Sequence, residues 1–145
     1  MSINTDKIIV PRNFKLLNEL HESEHPPENK PVSQVSWGLP DLSDRYLHNW
    51  ECTINPIPGT RFYYMLKLKA FCSDNYPNEP PKFTFVSKVN LPFVNSRGEV
   101  IPSGLDTLKN WNCDYTIEKV LLEIYSKIGS SSCRNLNQPS EGQTY

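Results

Sequence analysis

The residues of this chain that could do nucleophilic or metal chemistry are its four cysteines and three histidines: Cys52, Cys72, Cys113, Cys133, His21, His25 and His48. No two cysteines form a C-x-x-C pair, which is poor spacing both for a zinc site and for a disulfide framework. Only Cys113 lies in a long segment without a periodic pattern, and every histidine is far from it in sequence. A free cysteine more often packs as a small hydrophobe. We therefore predict structural cysteines and no metal site, with a catalytic Cys113 as the alternative.

Length and charge exclude several classes of partner. A chain of 145 residues suits one domain. With 15 basic and 16 acidic residues its net charge is −1, which argues against a nucleic-acid partner. No apolar run approaches the roughly 18 residues of a membrane span, so we expect no membrane partner. The polar start, residues 1–7, argues against a secretory signal, and the cysteine pattern favours a reducing compartment, the cytoplasm and nucleus.

A first helix is predicted over about residues 11–22. Proline at position 11 is a helix-start signal, and leucines follow at helical spacing with charged residues between them: Leu16, Leu17, Leu20, Lys15, Glu19 and Glu22. Phe14 lies about 110° around the helix from the leucine stripe. It is therefore not an obvious core residue of this helix.

Four strands follow, predicted around residues 35–39, 50–54, 64–72 and 83–85. The third has the clearest alternation, which describes a sheet with one buried face. The short connections between the strands predict an antiparallel meander.

The pattern then stops over residues 88–114, and a structureless stretch of that length is usually functional. Apolar residues at helical spacing predict an amphipathic helix from Ile117 to Ile128, capped by Thr116 or Asp114 and stopped at Gly129. Residues 130–145 are polar, and we expect a loosely held tail. The whole is a single α+β domain, residues 1–145, with the helices packed on one face of the sheet.

The segment 76–83, YPNEPPKF, resembles the Y-P-x-x-P-P-x-F signature of ubiquitin-conjugating enzymes, and Trp111 with residues 115–117 is also similar to that family. The resemblance implies the UBC-like fold. In active members His-Pro-Asn follows the fourth strand, and the nucleophilic cysteine comes eight residues after the Asn. Here residues 91–93 are Leu-Pro-Phe, and Ile101 stands at the nucleophile position. Isoleucine cannot form a thioester, and the missing Asn would have stabilised oxyanion charge.

The chain therefore resembles the catalytically inactive branch, the ubiquitin-conjugating enzyme variants, which implies no catalysis of its own and no cofactor. Segments 10–17, 35–39, 88–90 and 139–145 look like the members that serve lysine-sixty-three-linked chain synthesis. Such variants form a heterodimer with an active conjugating enzyme. The resemblance assigns partner binding to Val10, Asn13, Phe14 and Leu17, with Phe14 entering a pocket on the partner, where truncation of such an anchor costs about 2 kcal/mol or more.

The resemblance also implies a non-covalent site for acceptor ubiquitin, formed by Ser36, Glu51 and Met65. The family commonly has a small hydroxyl residue at the position of Glu51 and isoleucine at that of Met65. The implied mechanism is positional: the partner carries ubiquitin as a thioester, and this subunit aims one lysine of a second ubiquitin at it. Linkage choice then follows from which lysine is aimed.

Three alternatives remain at this point. Phe14 could pack on residues 8–10 of its own chain. Ser36 and Met65 could be ordinary exposed residues of a sheet. The domain could be an adaptor that binds ubiquitin or Pro-rich peptides without a conjugating partner, although segments 13–14 and 141–145 argue against that reading.

Overall fold

The first helix of the fold, α1, spans Arg12–Glu24 in a computed structural model that describes residues 11–25 and 34–145. Pro11 takes the N-cap position, so the predicted helix is confirmed with its first turn at Arg12. The buried stripe of this helix differs from the leucine stripe that the spacing indicates. Leu17 lies outside the core with 54% of its surface exposed, and Glu19 is buried. The buried stripe is narrow because it holds Leu16 and Glu19, one turn apart, rather than the three leucines.

The sheet is the predicted antiparallel meander. Its strands are β1 (Val35–Gly38), β2 (Asn49–Ile54), β3 (Leu66–Phe71) and β4 (Lys82–Phe85), hydrogen-bonded in the order β1-β2-β3-β4. All three neighbouring pairs are antiparallel. The connections run over residues 39–48, 55–65 and 72–81, and each joins a strand to its antiparallel neighbour in the sheet.

Strict alternation gives the sheet two different faces. Along β3, buried and exposed residues alternate without a break, as the two-residue period of a strand requires. The buried face packs on the helices, and its members include Trp37, Trp50, Leu66, Leu68, Phe83 and Phe85. The outer face carries no helix in the described part of the chain and is therefore open to a partner.

The segment between β4 and the last helix is only partly irregular. It contains a 3-10 turn (Pro102–Gly104) and a short helix, α2 (Asp106–Lys109). The expectation of a wholly structureless stretch over residues 88–114 is therefore wrong. The carboxylate of Glu123 caps α2, accepting from the amides of Asp106 at 2.7 Å and Thr107 at 2.9 Å. These bonds satisfy amides that α2 itself cannot.

The last helix, α3, spans Ile117–Ile128 as its pattern predicts. The side chain of Thr116 accepts a hydrogen bond of 3.1 Å from the amide of Lys119, which is an N-cap interaction. The apolar positions of its inner face are all buried: Ile117, Val120, Leu121, Ile124 and Ile128. Within residues 11–25 and 34–145, no helix is long and apolar enough to cross a bilayer.

Residues 130–145, here named the tail segment, are held firmly rather than loosely. The Tyr145 hydroxyl donates to the carbonyl of Val89 at 3.0 Å and accepts from the amide of Val89 at 3.3 Å. The Tyr145 ring covers Gly98, which has φ +87° and whose missing Cβ would lie 2.6 Å from that ring. Glycine is required there both by backbone angle and by space. The polar composition of the segment hid these contacts, since most of them use the backbone.

Candidate functional site

The first turns of α1 present an exposed apolar surface, formed by Phe14 and Leu17 and here named the α1 knob. Phe14 exposes 67% of its surface and Leu17 exposes 54%, and Asn13 beside them is also exposed. Large apolar side chains with this much exposure on one face commonly mark an interaction site. The structure therefore brings three of the four predicted partner-binding residues onto one surface. The fourth, Val10, lies outside the described residues, as do the residues 8–10 on which Phe14 could alternatively pack.

Arg12 holds this end of α1 against the sheet. Its Nε donates to the carbonyl of Ser73 at 2.8 Å, and its Nη2 donates to the carbonyl of Cys72 at 2.9 Å. Its Nη1 lies 2.6 Å both from the carbonyl oxygen of Tyr46 and from Oδ1 of Asn13. The planar guanidinium presents its donors in a rigid fork, so these bonds fix the direction of the first turn. The exposed knob is thereby presented on a rigid support.

Glu19 fixes the inner face of α1, two turns further along the helix. Its Oε2 accepts from the Tyr76 hydroxyl at 2.5 Å and pairs with Lys15 Nζ at 3.3 Å, while its Oε1 accepts from the amide of Ile117 at 2.8 Å. Burial, with the nearby Glu19 charge and its hydrogen bond, raises the pKa of Tyr76 well above its usual range. Tyr76 is therefore held as a neutral donor, and a carboxylate with these partners can be buried at low cost.

The predicted acceptor residues share the outer face of the sheet. Ser36 on β1 is paired with Thr53 on β2, and their hydroxyls hydrogen-bond each other. Glu51 lies on the same face of β2, opposite Lys69 on β3. Met65 precedes β3 with the same alternation and exposes 50% of its surface. The three residues form one continuous surface, although nothing in this arrangement tests what binds there.

A shallow groove of about 570 Å³ opens on this outer face. Charged residues from three strands line it: Glu51, Lys69 and Lys82. Lys82 also pairs with Glu99 at 3.3 Å, and the hydrogen bond from Asn95 together with Lys82 keeps the pKa of Glu99 below its ordinary value. The face therefore combines charged side chains with two exposed apolar ones, Met65 and Phe71.

The segment that resembles the catalytic region of conjugating enzymes is filled with apolar side chains. Leu91 and Phe93 are both buried in the core. Ile101 lies at the start of the 3-10 turn, exposes 37% of its surface and donates its amide to the carbonyl of Phe93 at 2.8 Å. Position 101 is thus open to solvent, but it offers no nucleophile.

Comparison with known proteins agrees with this geometry. The family model of the ubiquitin-conjugating enzymes matches residues 15–145. The chain is 42% identical to ubiquitin-conjugating enzyme spm2 of Schizosaccharomyces pombe over 94% of its own length and 97% of that protein. It is 37% identical to ubiquitin-conjugating enzyme variant MMS2 of Saccharomyces cerevisiae, over 94% of its own length and 98% of that protein. The chain belongs to the ubiquitin-conjugating enzyme family, on its variant branch.

The fold of this variant also matches that of a solved conjugating enzyme. The structure of human ubiquitin-conjugating enzyme E2 G1 superposes with a TM-score of 0.70 at 28% identity. The match covers 84% of the variant and 98% of the E2 G1 chain. The predicted UBC-like α+β architecture, with its N-terminal helix, meander and C-terminal helix, is confirmed.

Three of the four cysteines of the variant are buried: Cys52, Cys72 and Cys133. Burial raises the pKa of the Cys52 thiol to about 12 and that of Cys72 further, so both remain protonated thiols. Cys113 is exposed, and within the described residues no hydrogen bond reaches its thiol. His48, a candidate base, is instead paired with Asp74 at 2.7 Å. No cluster of three or more His, Cys, Asp or Glu that could hold a metal ion occurs among residues 11–25 and 34–145.

Sequence reasoning missed the two residues that orient the knob. Neither Arg12 nor Glu19 stands out in the sequence, because the long-range partners of their side chains lie 34 to 98 residues away along the chain. One signal was present for Glu19, since it lies three residues after Leu16, on the face that enters the core. Arg12 offered none, because backbone carbonyls in a distant turn leave no trace in composition.

Proposed function

We propose that this variant is a non-catalytic subunit that pairs with an active ubiquitin-conjugating enzyme and positions acceptor ubiquitin for lysine-sixty-three-linked chain synthesis. The observation that carries the proposal is the exposed Phe14 on a rigidly held helix, in a family member with isoleucine at position 101. A protein of this fold without a nucleophile can act only by binding. Its two open surfaces, the α1 knob and the outer sheet face, supply one site for each of two partners.

Phe14 supports the heterodimer. An exposed aromatic side chain on a pre-organised support is a typical hot spot, because its burial in a partner's pocket gains apolar area at little cost in conformational entropy. Leu17 lies about one turn further along α1 and extends the apolar surface, and Asn13 adds a polar group at its edge. The expected partner carries an apolar pocket that fits one phenyl ring.

The outer sheet face supports the acceptor site. Ser36, Glu51 and Met65 come from β1, β2 and the start of β3, so a bound ubiquitin would lie across the strands. No residue of this chain needs to accept or donate a proton. The rate gain comes from holding the attacking lysine near the thioester, which turns a bimolecular encounter into an almost unimolecular one.

Reconstitution tests the proposal directly. Purified ubiquitin-activating enzyme, a candidate active conjugating enzyme and this variant are mixed with ubiquitin and ATP, and linkages are mapped by mass spectrometry. We expect lysine-sixty-three-linked chains only when both subunits are present. Chains that form equally well without the variant would show that it has no such role.

A second arm separates catalysis from binding. The variant alone, with activating enzyme, ubiquitin and ATP, is examined on a non-reducing gel. We expect no ubiquitin thioester, and the Cys113→Ser protein serves as the matched control. A thioester on the wild-type chain that disappears with Cys113→Ser would identify an active enzyme with a displaced nucleophile.

A further inference from the structure

We infer that the tail segment forms the far wall of the acceptor surface, so that acceptor ubiquitin contacts residues 141–144 as well as the sheet. The inference rests on the proposed function, because it assigns to the same ubiquitin a second wall of its binding site. The observation that supports it is a row of residues, each paired with the next across neighbouring segments, that crosses the sheet and ends in the tail segment.

The row can be followed strand by strand. Ser36 pairs with Thr53, and Thr53 pairs with Lys67. The amide of Lys67 donates to Oγ of Ser87 at 2.9 Å, and its carbonyl accepts from the amide of Ser87 at 3.2 Å. Ser87 in turn forms an antiparallel bridge with Thr144. The tail is therefore the fifth segment in line, beyond the β4 edge of the sheet, and Ser36 lies at the opposite, β1 edge.

The row of paired residues is short enough to lie within a single protein interface. Neighbouring strands lie about 4.8 Å apart, so the four steps from Ser36 to Thr144 span about 19 Å. A standard interface covers about 800 Å² on each partner, which is a patch about 30 Å across. A ubiquitin that covers both Ser36 and Met65 would therefore be wide enough to reach the tail segment as well.

Met65 joins the two surfaces. A groove of about 360 Å³ lies between the start of β3 and the tail, and Met65 and Lys67 form one side of it. The tail forms the other side with residues Glu141, Gly142, Gln143 and Thr144, all of which are exposed. The exposed apolar side chain that we assign to ubiquitin binding thus faces into a groove whose opposite wall is the tail.

The wall is rigid enough to contribute to affinity. The amide of Lys88 donates to the carbonyl of Gln143 at 2.8 Å, and the Tyr64 hydroxyl donates to the carbonyl of Pro139 at 3.0 Å. Together with the Tyr145 contacts to Val89, these bonds hold the segment from both ends. A pre-ordered wall loses little entropy when a partner binds.

The test uses the full chain, labelled with ¹⁵N and titrated with unlabelled ubiquitin. The chemical shifts of its backbone amides are measured during the titration. We expect the amides of residues 141–144 to shift together with those of Ser36, Glu51 and Met65. If the sheet residues shift and the tail residues do not, the inference is wrong and the proposed function stands. If neither group shifts and reconstitution gives no chains, the proposed function itself fails, and the inference falls with it.

A double variant tests whether the contact contributes affinity. Glu141→Ala with Gln143→Ala removes both side chains and leaves the backbone bonds of the tail intact. We expect the Kd for ubiquitin to rise about threefold or more, the range of a moderate interface truncation, with the affinity for the conjugating partner unchanged. The matched control is Lys109→Ala with Asp114→Ala, at two exposed positions that lie outside the strands and outside the tail segment. An unchanged Kd in the first variant would overturn the assignment.

Discussion

The carboxylate of Glu19 on α1 accepts a hydrogen bond of 2.8 Å from the backbone amide of Ile117, the first residue of α3. It therefore serves as a cap for a helix that begins 98 residues later, in a position where the helix dipole also favours negative charge. Since the same carboxylate binds the Tyr76 hydroxyl, one buried side chain joins α1, the loop before β4 and α3.

Removal of the Glu19 side chain should be strongly destabilising. Glu19→Ala leaves the Ile117 amide and the Tyr76 hydroxyl buried without partners, so we expect the free energy of unfolding to fall by about 3 kcal/mol. Urea denaturation followed by circular dichroism measures it. Glu22→Ala, an exposed position on the same helix, is the control and should stay within about 0.5 kcal/mol of wild type. Equal small losses in both variants would contradict the network's importance.

Phe14→Ala should separate binding from stability. Because the phenyl ring is 67% exposed, its removal should barely change the melting temperature. The affinity for the conjugating partner should fall by about 2 kcal/mol or more, near thirtyfold in Kd, as measured by isothermal titration calorimetry. The control is Leu122→Ala, at an exposed apolar position on α3 instead of α1. This variant should bind the conjugating partner with wild-type affinity. A complex of full strength with Phe14→Ala would show that the knob is not the interface.

Tyr145→Phe should loosen the tail without unfolding the domain. The variant keeps the ring over Gly98 and loses the hydroxyl that bonds both the amide and the carbonyl of Val89. We expect a loss of about 1 kcal/mol in the free energy of unfolding and faster hydrogen exchange at the Val89 amide. Partner affinity should be unchanged. Unaltered exchange at Val89 would mean that the hydroxyl does not hold this segment.

The pH dependence of stability should include a contribution from Glu123. Burial alone would raise its pKa, but hydrogen bonds from the Thr107 side chain and amide and from the Asp106 amide outweigh it and lower the pKa below the ordinary 4.5. A carboxyl with a lowered folded-state pKa stabilises the fold above its unfolded pKa, and this stabilisation is lost as the pH falls through the folded value.

Glu123→Gln should therefore be less stable than wild type at pH 7, by about 1 kcal/mol after allowance for solvent screening. The difference should shrink as the pH falls below the ordinary value of 4.5 and through the lowered folded-state pKa, because wild-type Glu123 then becomes protonated. Thermal unfolding at several pH values measures it. A difference that stays constant over this range would show that the α2 cap does not depend on the charge.

The elements of this fold were predictable because their signals are local. The alternation of β3 and the spacing of Ile117, Val120, Leu121 and Ile124 depend only on which residues face the core, and the structure confirms both. The exposure of Phe14 followed in the same way, from its angle to the helix stripe. Family membership was also readable, since the YPNEPPKF segment and the isoleucine at position 101 are matters of residue type.

The sequence by itself determined the two long helices, the meander, the outward Phe14 and the isoleucine at position 101. Only the tertiary structure decided that Glu19 is a buried cap, that Arg12 holds the first turn of α1, and that a polar tail is bound along the sheet. The physical reason is that these three depend on hydrogen bonds to backbone groups far away in the chain, such as Val89 for Tyr145. Backbone groups are the same in every residue, so no pattern of side chains can announce which of them a distant side chain will meet.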